Sequence, residues 1–305
     1  MVDGATIITG AGGLIGNAVR QNLEKLGRKV IPLDVVEKTD EGAPLTVCGL
    51  TEVHRLHAVA RGHKVTGIVH CAAFSGPMVA RDNPPAMVDV NIVGTVNVLE
   101  LARILGNVRV VYCSSTSAYG PIDGCEISED VPLNSSTVYG ASKAASEHLV
   151  RAYAQQYGVD AVSLRLSWVY GPRRTTDCII RQMITDALNG NSTDLSFGAD
   201  FPRQFVYVDD AAQALIAALD TPHLPRATYN VTGGTHLTFT QIADIVRSVL
   251  PEADIRLRPG PDPVDDLQGS FSSAAALRDF GYRPKFSFSE GVAEYTEWLR
   301  AQNNY

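Results

Sequence analysis

Thr9-Gly10-Ala11-Gly12-Gly13-Leu14-Ile15-Gly16 lies between a short apolar run, Thr6–Thr9, and a stretch with apolar residues at helical spacing, 14–27. Glycines at 10, 13 and 16 remove side chains where a backbone must turn tightly, approach a pyrophosphate and let a helix pack on a strand. The free N–H groups of the helix start then favour an anion. The setting gives the triplet its meaning, because glycine triplets also occur in incidental turns. The helical stretch closes at Gly27, where a positive φ is allowed. Lys29–Asp34 reads as the next strand, and Asp34 falls at its end, 18 residues after Gly16. An acid there accepts from both ribose hydroxyls of a dinucleotide. Its charge repels a 2′-phosphate, and Val35 and Val36 follow it rather than an arginine, so the expected cofactor is NAD rather than NADP.

Outward from this loop the first half keeps the same rhythm. Strand candidates at Leu45–Val47, Gly67–His70, Val108–Cys113 and Asp160–Arg165 alternate with helix candidates near 51–61, 85–105 and 139–157. Six parallel strands predict an α/β fold, a doubly wound parallel sheet of the Rossmann type. Beyond about residue 171 the pattern becomes irregular and Pro/Gly-punctuated, with a helix at 177–189, a strand-like 203–208 and helices near 209–220 and 238–249. The expected division is a nucleotide-binding domain over 1–170 and a smaller α/β substrate lobe over 171–305. The two interleave, because Phe205–Val208 and Tyr229–Val231 could return to the sheet. No internal repeat is visible.

Composition closes off other classes. The chain has 305 residues, 45% hydrophobic and 19% charged, as in ordinary globular proteins. Lys plus Arg is 26 against 33 Asp plus Glu, a net charge of −7, the wrong sign for a protein that neutralises nucleic-acid phosphates. No uninterrupted 18-residue apolar run and no basic, apolar leader at the N-terminus predict a membrane span or export. Five scattered cysteines, with no CxxC pair, fit a reducing cytoplasm better than a disulfide or zinc framework. His54, His57 and His63 are too unevenly spaced for a metal site, and none is expected. His70 reads as a packed, hydrogen-bonded histidine.

Chemistry enters with Tyr139-Gly-Ala-Ser-Lys143, which puts a phenol and an ammonium on one helix face. The ammonium and a nicotinamide cation both favour phenolate, making the phenol a usable base near neutral pH. Ser115 follows the fifth strand candidate in the stretch Cys113–Gly120, at the carboxyl edge where ligands of such sheets bind, and would orient the substrate oxygen.

These motifs together resemble the extended short-chain dehydrogenases/reductases of the NAD-dependent epimerase/dehydratase family. The likeness rests on the 9–16 loop, HCAA at 70–73, Asn91-x-x-Gly94-Thr95-x-Asn97, SSTSAYG at 114–120, YGASK at 139–143, RLSWVYGPR at 165–173, RQFVYVDD at 203–210 and FGYRP at 280–284. It implies that Tyr139 exchanges the proton of a secondary alcohol, Ser115 steadies that oxygen, and Lys143 holds the nicotinamide ribose. Leu14, Ile15, Leu50, the 71–73 backbone (Cys71, Ala72, Ala73) and Asn91 join Gly10, Gly13, Gly16 and Asp34 around NAD. Substrate contacts are implied at Ser75, Thr116, Ser117, Trp168, Arg173, Arg203 and Arg258, and a homodimer through the 85–105 helix and the helix bearing Tyr139.

Departures from the family narrow the reaction. Thr116 and Ser117 stand where dehydratases carry an Asp-Glu pair, which disfavours water elimination. Trp168 stands where nucleotide-sugar epimerases have an asparagine for the substrate diphosphate, pointing to a smaller substrate, whereas Arg203 and Arg258 match diphosphate arginines. Gly49 replaces a carboxylate that meets adenine. Arg173-Arg174 is either a clamp for a carboxylate or phosphate or a solvated loop pair. Asp209-Asp210 is expected to cap the following helix. The leading expectation is an NAD-dependent oxidoreductase acting on a secondary alcohol or ketone of a sugar, sugar acid or polyol. A nucleotide-sugar 4-epimerase with retained NAD is the alternative.

Overall fold

The computed structural model describes residues 4–303. In chain order its elements are β1 (Ala5–Thr9), α1 (Leu14–Lys25), β2 (Lys29–Asp34), β3 (Thr46–Val47), α2 (Val53–Ala60), β4 (Val65–His70), α3 (Pro84–Val88), α4 (Gly94–Ile104), β5 (Arg109–Ser115), α5 (Val138–Tyr157), β6 (Ala161–Leu166), β7 (Trp168–Tyr170), α6 (Ile179–Leu188), β8 (Thr193–Gly198), β9 (Pro202–Tyr207), α7 (Val208–Asp220), β10 (Thr228–Val231), β11 (His236–Thr238), α8 (Phe239–Val249), β12 (Ile255–Arg258), α9 (Ala274–Phe280) and α10 (Phe288–Asn303).

The main sheet has seven strands in the order β10-β6-β5-β4-β1-β2-β3, all parallel. Side chains alternate across its pleat, so one apolar run serves two cores. Ile8, Val69 and Val111 face α1 and α7 residues such as Val19, Leu23 and Leu215. Their neighbours Ile7, Ile68 and Val110 face Leu56, Val98, Leu99 and Val150 of α2, α4 and α5. Both faces are covered, which is the doubly wound arrangement. α1 ends at Leu26 and Gly27, the latter at φ +70°, with Gly27 N–H donating to Glu24 O and Arg28 N–H to Leu23 O.

Tyr229–Val231 returns to the sheet as the seventh strand, beside β6. Phe205–Val208 does not: Pro202–Tyr207 pairs in parallel with β7 and antiparallel with β11 in a separate three-stranded sheet. The chain leaves the main sheet after Leu166, and the free edge of Trp168–Tyr170 takes up this strand, in the register Trp168 to Phe205. β8 and β12 form a further two-stranded sheet. The core itself runs on past residue 170, joining Leu164 and Leu166 to Phe205, Tyr229 and Tyr295. Asp210 caps no helix; its carboxylate accepts from the main-chain N–H groups of Lys285 and Phe286 and so docks the segment before α10.

Pro84–Ile104 is continuous through a π-helical turn at Asp89–Val93. By length and composition it could cross a membrane, at mean hydropathy 1.2. Val98, Leu99, Leu101 and Ala102 of this stretch are buried in the core.

Candidate active site

At the carboxyl edge of the sheet lies a cavity of about 690 Å³, lined from the glycine loop at one end to Trp168 and Arg174 at the other. The loop end is built from backbone. Gly10 sits at φ +69°, and a Cβ there would lie 2.7 Å from the Ala72 main chain. A Cβ on Gly16 would meet Gly10 O at 2.0 Å, so only glycine lets α1 rise this close to β1. Asp34 Oδ2 accepts from Gly12 N–H at 2.8 Å and Oδ1 from Val35 N–H at 2.7 Å, which fixes the carboxylate against the loop. Gly10, Gly13, Leu14, Ile15, Gly16, Asp34, Leu50, Cys71, Ala72 and Ala73 all line the cavity. The cradle, open helix start and fixed acid fit a dinucleotide.

The middle of the cavity carries Ser115, Tyr139 and Lys143. They meet because α5 starts hard against the turn after β5: Thr137 Oγ1 accepts from Gly140 N–H at 3.0 Å, and a Cβ on Gly140 would lie 2.3 Å from Ser117 O. Ser115 Oγ accepts from Ser117 N–H at 3.1 Å and lies 3.2 Å from Ser117 Oγ. Lys143 is buried; its ammonium donates to Cys113 O at 2.8 Å and lies 5.8 Å from the Tyr139 ring centroid. Burial opposes its charge, but Tyr112, Tyr139 and Cys113 outweigh that and raise its pKa. Beneath, Glu147 receives both Arg165 (2.7 Å) and Ser114 Oγ (2.5 Å), which pins the strand end next to Ser115.

His70 has a structural part. Thr95 Oγ1 donates to Asn91 O at 2.6 Å, so it accepts from His70 Nε2, 3.0 Å away, and His70 Nδ1 accepts from Thr9 Oγ1 at 2.7 Å. Burial, with Lys143 adding to it, depresses the imidazole pKa to about 3 and keeps it neutral. The chain continues through Ala72 N–H, which donates to Thr9 Oγ1, and holds the 71–73 wall. Cys71 faces the cavity; its hydrogen bond with Cys113 and burial both push its thiol up. Among the described residues no group of three or more His, Cys, Asp or Glu could hold a metal.

Several expected contacts stand elsewhere. Asn91 is buried behind the cavity wall: its Oδ1 accepts from Phe74 N–H at 2.8 Å and its Nδ2 donates to Phe74 O and Ser142 Oγ, tying that loop to α5. Thr116 points inward and only its carbonyl is engaged, by Gln268 Nε2. Arg173, at φ +71°, turns out to pair with Glu41. Arg258 lies 67% exposed on β12, 3.8 Å from Asp194. Arg203 is buried between Asp262 and Asp265, at 2.7 and 2.9 Å, with its guanidinium 4.1 Å from the Trp168 ring. Ser75, Ser117 and Trp168 do line the cavity. The lining also includes Gly12, Ser167, Arg174, Thr175 and Thr176. Gly12 was readable within the glycine loop, and Arg174 as half of the Arg-Arg pair. Ser167 follows the last residue of β6 and carries no motif of its own.

Over an alignment of 330 positions that covers 96% of each chain, the protein is 26% identical to a probable UDP-glucuronate 4-epimerase of Rhizobium meliloti. A UDP-glucose 4-epimerase of Thermus thermophilus, solved in complex with NAD, superposes with TM-score 0.86 at 28% identity over 97% of this chain and 99% of that one. A dTDP-glucose 4,6-dehydratase of Streptomyces venezuelae, solved with NAD, gives TM-score 0.85 at 30% identity over 98% of both chains. Residues 6–232 match the sequence profile described as the NAD dependent epimerase/dehydratase family, and the chain belongs to that family of NAD-dependent enzymes.

Proposed function

We propose that the protein is an NAD-dependent oxidoreductase acting on a secondary alcohol or ketone of a small carbohydrate-like compound, with net turnover of the cofactor. One observation carries this reading. Arg203 is neutralised by Asp262 and Asp265, and Arg258 lies out on β12, away from the cavity lining, so neither arginine is placed to meet a substrate diphosphate there. Trp168 then walls a pocket beside Ser115.

In this reading Gly10, Gly12, Gly13 and the start of α1 hold the pyrophosphate, Asp34 the adenosine ribose, and the 71–73 wall and Lys143 the nicotinamide half. NAD, when bound, supplies the hydride acceptor or donor. Tyr139 takes the hydroxyl proton during oxidation and returns it during reduction, while the Ser115 hydroxyl donates to the same oxygen and keeps it in reach. Lys143 stays cationic in its buried setting, with its ammonium 5.8 Å from the Tyr139 ring centroid. Thr116 and Ser117 supply no acid–base pair for dehydration.

A nucleotide-sugar 4-epimerase is the second reading, favoured by the UDP- and dTDP-sugar enzymes among the relatives. It shares the same three residues and differs in whether NADH leaves. Incubation with NAD and a panel of sugars, sugar acids, polyols and nucleotide sugars separates the two. NADH formed in step with oxidation of a free compound supports the oxidoreductase; interconversion of a nucleotide sugar without NADH build-up overturns it. We place the enzyme in the cytoplasm, in keeping with five unpaired cysteines. A homodimer would use exposed Val88, Val93 and Val138 on α3, the adjoining π-helical turn and α5; Leu99 of α4 is wholly buried in the core.

A further inference from the structure

The two neighbouring arginines that the sequence offers as a clamp separate in the fold. Gly171 at φ +131° and Arg173 at φ +71° turn the chain so that Arg173 faces Glu41 and Arg174 faces the cavity. Arg174 is 8% exposed, and among the described residues it has no carboxylate within ion-pair distance. Its NH1 donates to Val169 O and its NH2 to Asp177 O at 2.9 Å, which leaves three of the five guanidinium donors unused; Nε is buried without a partner. The guanidinium also lies 5.3 Å from the Trp168 ring. A second polar group shares that wall: Ser167, 4% exposed, has an Oγ with no hydrogen-bond partner. Ser167 follows Leu166, which is in register with Ser115 on the neighbouring strand. The unmatched hydroxyl therefore stands one residue along from the partner of Ser115, and the unmatched buried cation lines the same cavity, over the ring of the next residue, Trp168.

A buried charge without a counter-ion is strongly disfavoured, so its missing partner is best sought in the ligand. The glycine loop and the start of α1 already serve the cofactor's phosphates, at the other end of the cavity. A carboxylate suits the remaining donors, since it only accepts hydrogen bonds and its two oxygens match a guanidinium fork. We propose that Arg174 and Ser167 form a carboxylate subsite, and that the substrate is a sugar acid. Arg174 sets specificity; Ser115 and Tyr139 do the chemistry.

The inference rests on the oxidoreductase reading, and the test keeps the two apart. NADH formation is followed with aldonates and uronates beside the neutral aldoses and alditols of the same configuration, for the wild type, Arg174→Gln and Arg174→Lys. The wild type should prefer the acids. Arg174→Gln should lower kcat/KM for acids by about 100-fold, with neutral compounds and NAD affinity unchanged, and Arg174→Lys should recover part of the loss. A folding defect would lower both classes together, so the acid-to-neutral ratio isolates the charge. Should the acids be the only substrates, the loss must appear with an unchanged Kd for NAD in a fluorescence titration. Equal use of acids and neutral compounds overturns the subsite and leaves the oxidoreductase standing. So does a weaker Kd for NAD in Arg174→Gln with the ratio unmoved, which makes Arg174 a pyrophosphate ligand. Preference for sugar phosphates over sugar carboxylates likewise overturns it. NADH from no free compound, with a nucleotide sugar interconverted, overturns both readings.

Discussion

The two ends of the cavity are made of different material. At the glycine loop the contacts are backbone: a turn at positive φ, a helix start and one carboxylate held by N–H groups. At the Trp168 end they are long side chains that differ in whether a carboxylate reaches them. Arg203 draws Asp262 and Asp265 from about sixty residues away, while Arg174, four positions past the end of β7, finds only carbonyls. Both guanidiniums lie over the same indole ring. One is neutralised and closed off; the other keeps its charge at the cavity. A backbone site is set by local conformation and so tolerates little change. A side-chain site is set by which charges happen to be paired, and can be altered without touching the fold.

The largest expected effect lies between the two ends. Tyr139→Phe removes one oxygen from a residue already packed at 7% exposure. It should leave Tm and NAD affinity unchanged while lowering kcat by roughly 10²- to 10⁴-fold, the range of a lost general acid–base. Stopped-flow measurement of NADH formation beside a thermal melt checks both halves. Retention of most of the rate would move the proton transfer to another group and break the division between a chemical centre and its two binding ends.

Next in size is the backbone end. Gly16→Ala places a methyl 2.0 Å from Gly10 O, a contact that the loop can relieve only by moving off β1. Overpacking of this kind costs about 1–3 kcal/mol, and the displaced loop should also bind NAD more weakly. Denaturant melts and an NAD titration should therefore both respond, and in the same direction. A variant that melts normally but loses NAD would show that the loop serves the ligand without supporting the fold.

The same contrast decides what could be read from the chain. The loop, Asp34, the Tyr139–Lys143 spacing and six of the seven sheet strands were legible, because each is a local pattern whose meaning depends on neighbours within a few residues. β10 was legible only as a candidate, since nothing local distinguishes a strand returning to the parallel sheet from one like β9 that joins a small sheet. Asn91 shows the limit most clearly: its motif is local, but its work is to hold Phe74 and Ser142 from behind the wall. The arginines lay beyond local reading altogether. Whether Arg203 met a diphosphate or two aspartates depended on residues 262–265, which carry no recognisable pattern, and Arg173 and Arg174 diverged through a turn that only the backbone angles reveal.

The smallest effect tests the closed-off arginine. Asp265 pairs with Arg203 at 2.9 Å, but burial outweighs that attraction, and together with the charge of Asp262 it pushes the carboxyl up to about 6. Its ordinary value in an unfolded chain is near 4. Between these values the folded protein keeps a proton that the unfolded chain has released, so this group's contribution to stability falls as pH rises from about 4 to about 6. Asp265→Asn removes that slope and leaves Arg203 one carboxylate, Asp262, for its one charge. Melts across pH 4 to 8 should show the variant gaining on the wild type as pH rises, until it equals or slightly exceeds it at pH 7. A variant less stable than the wild type by more than about 1 kcal/mol at pH 7 would mean that Arg203 needs both carboxylates. The distinction between a sealed arginine and a poised one would then rest on hydrogen-bond geometry rather than on charge balance.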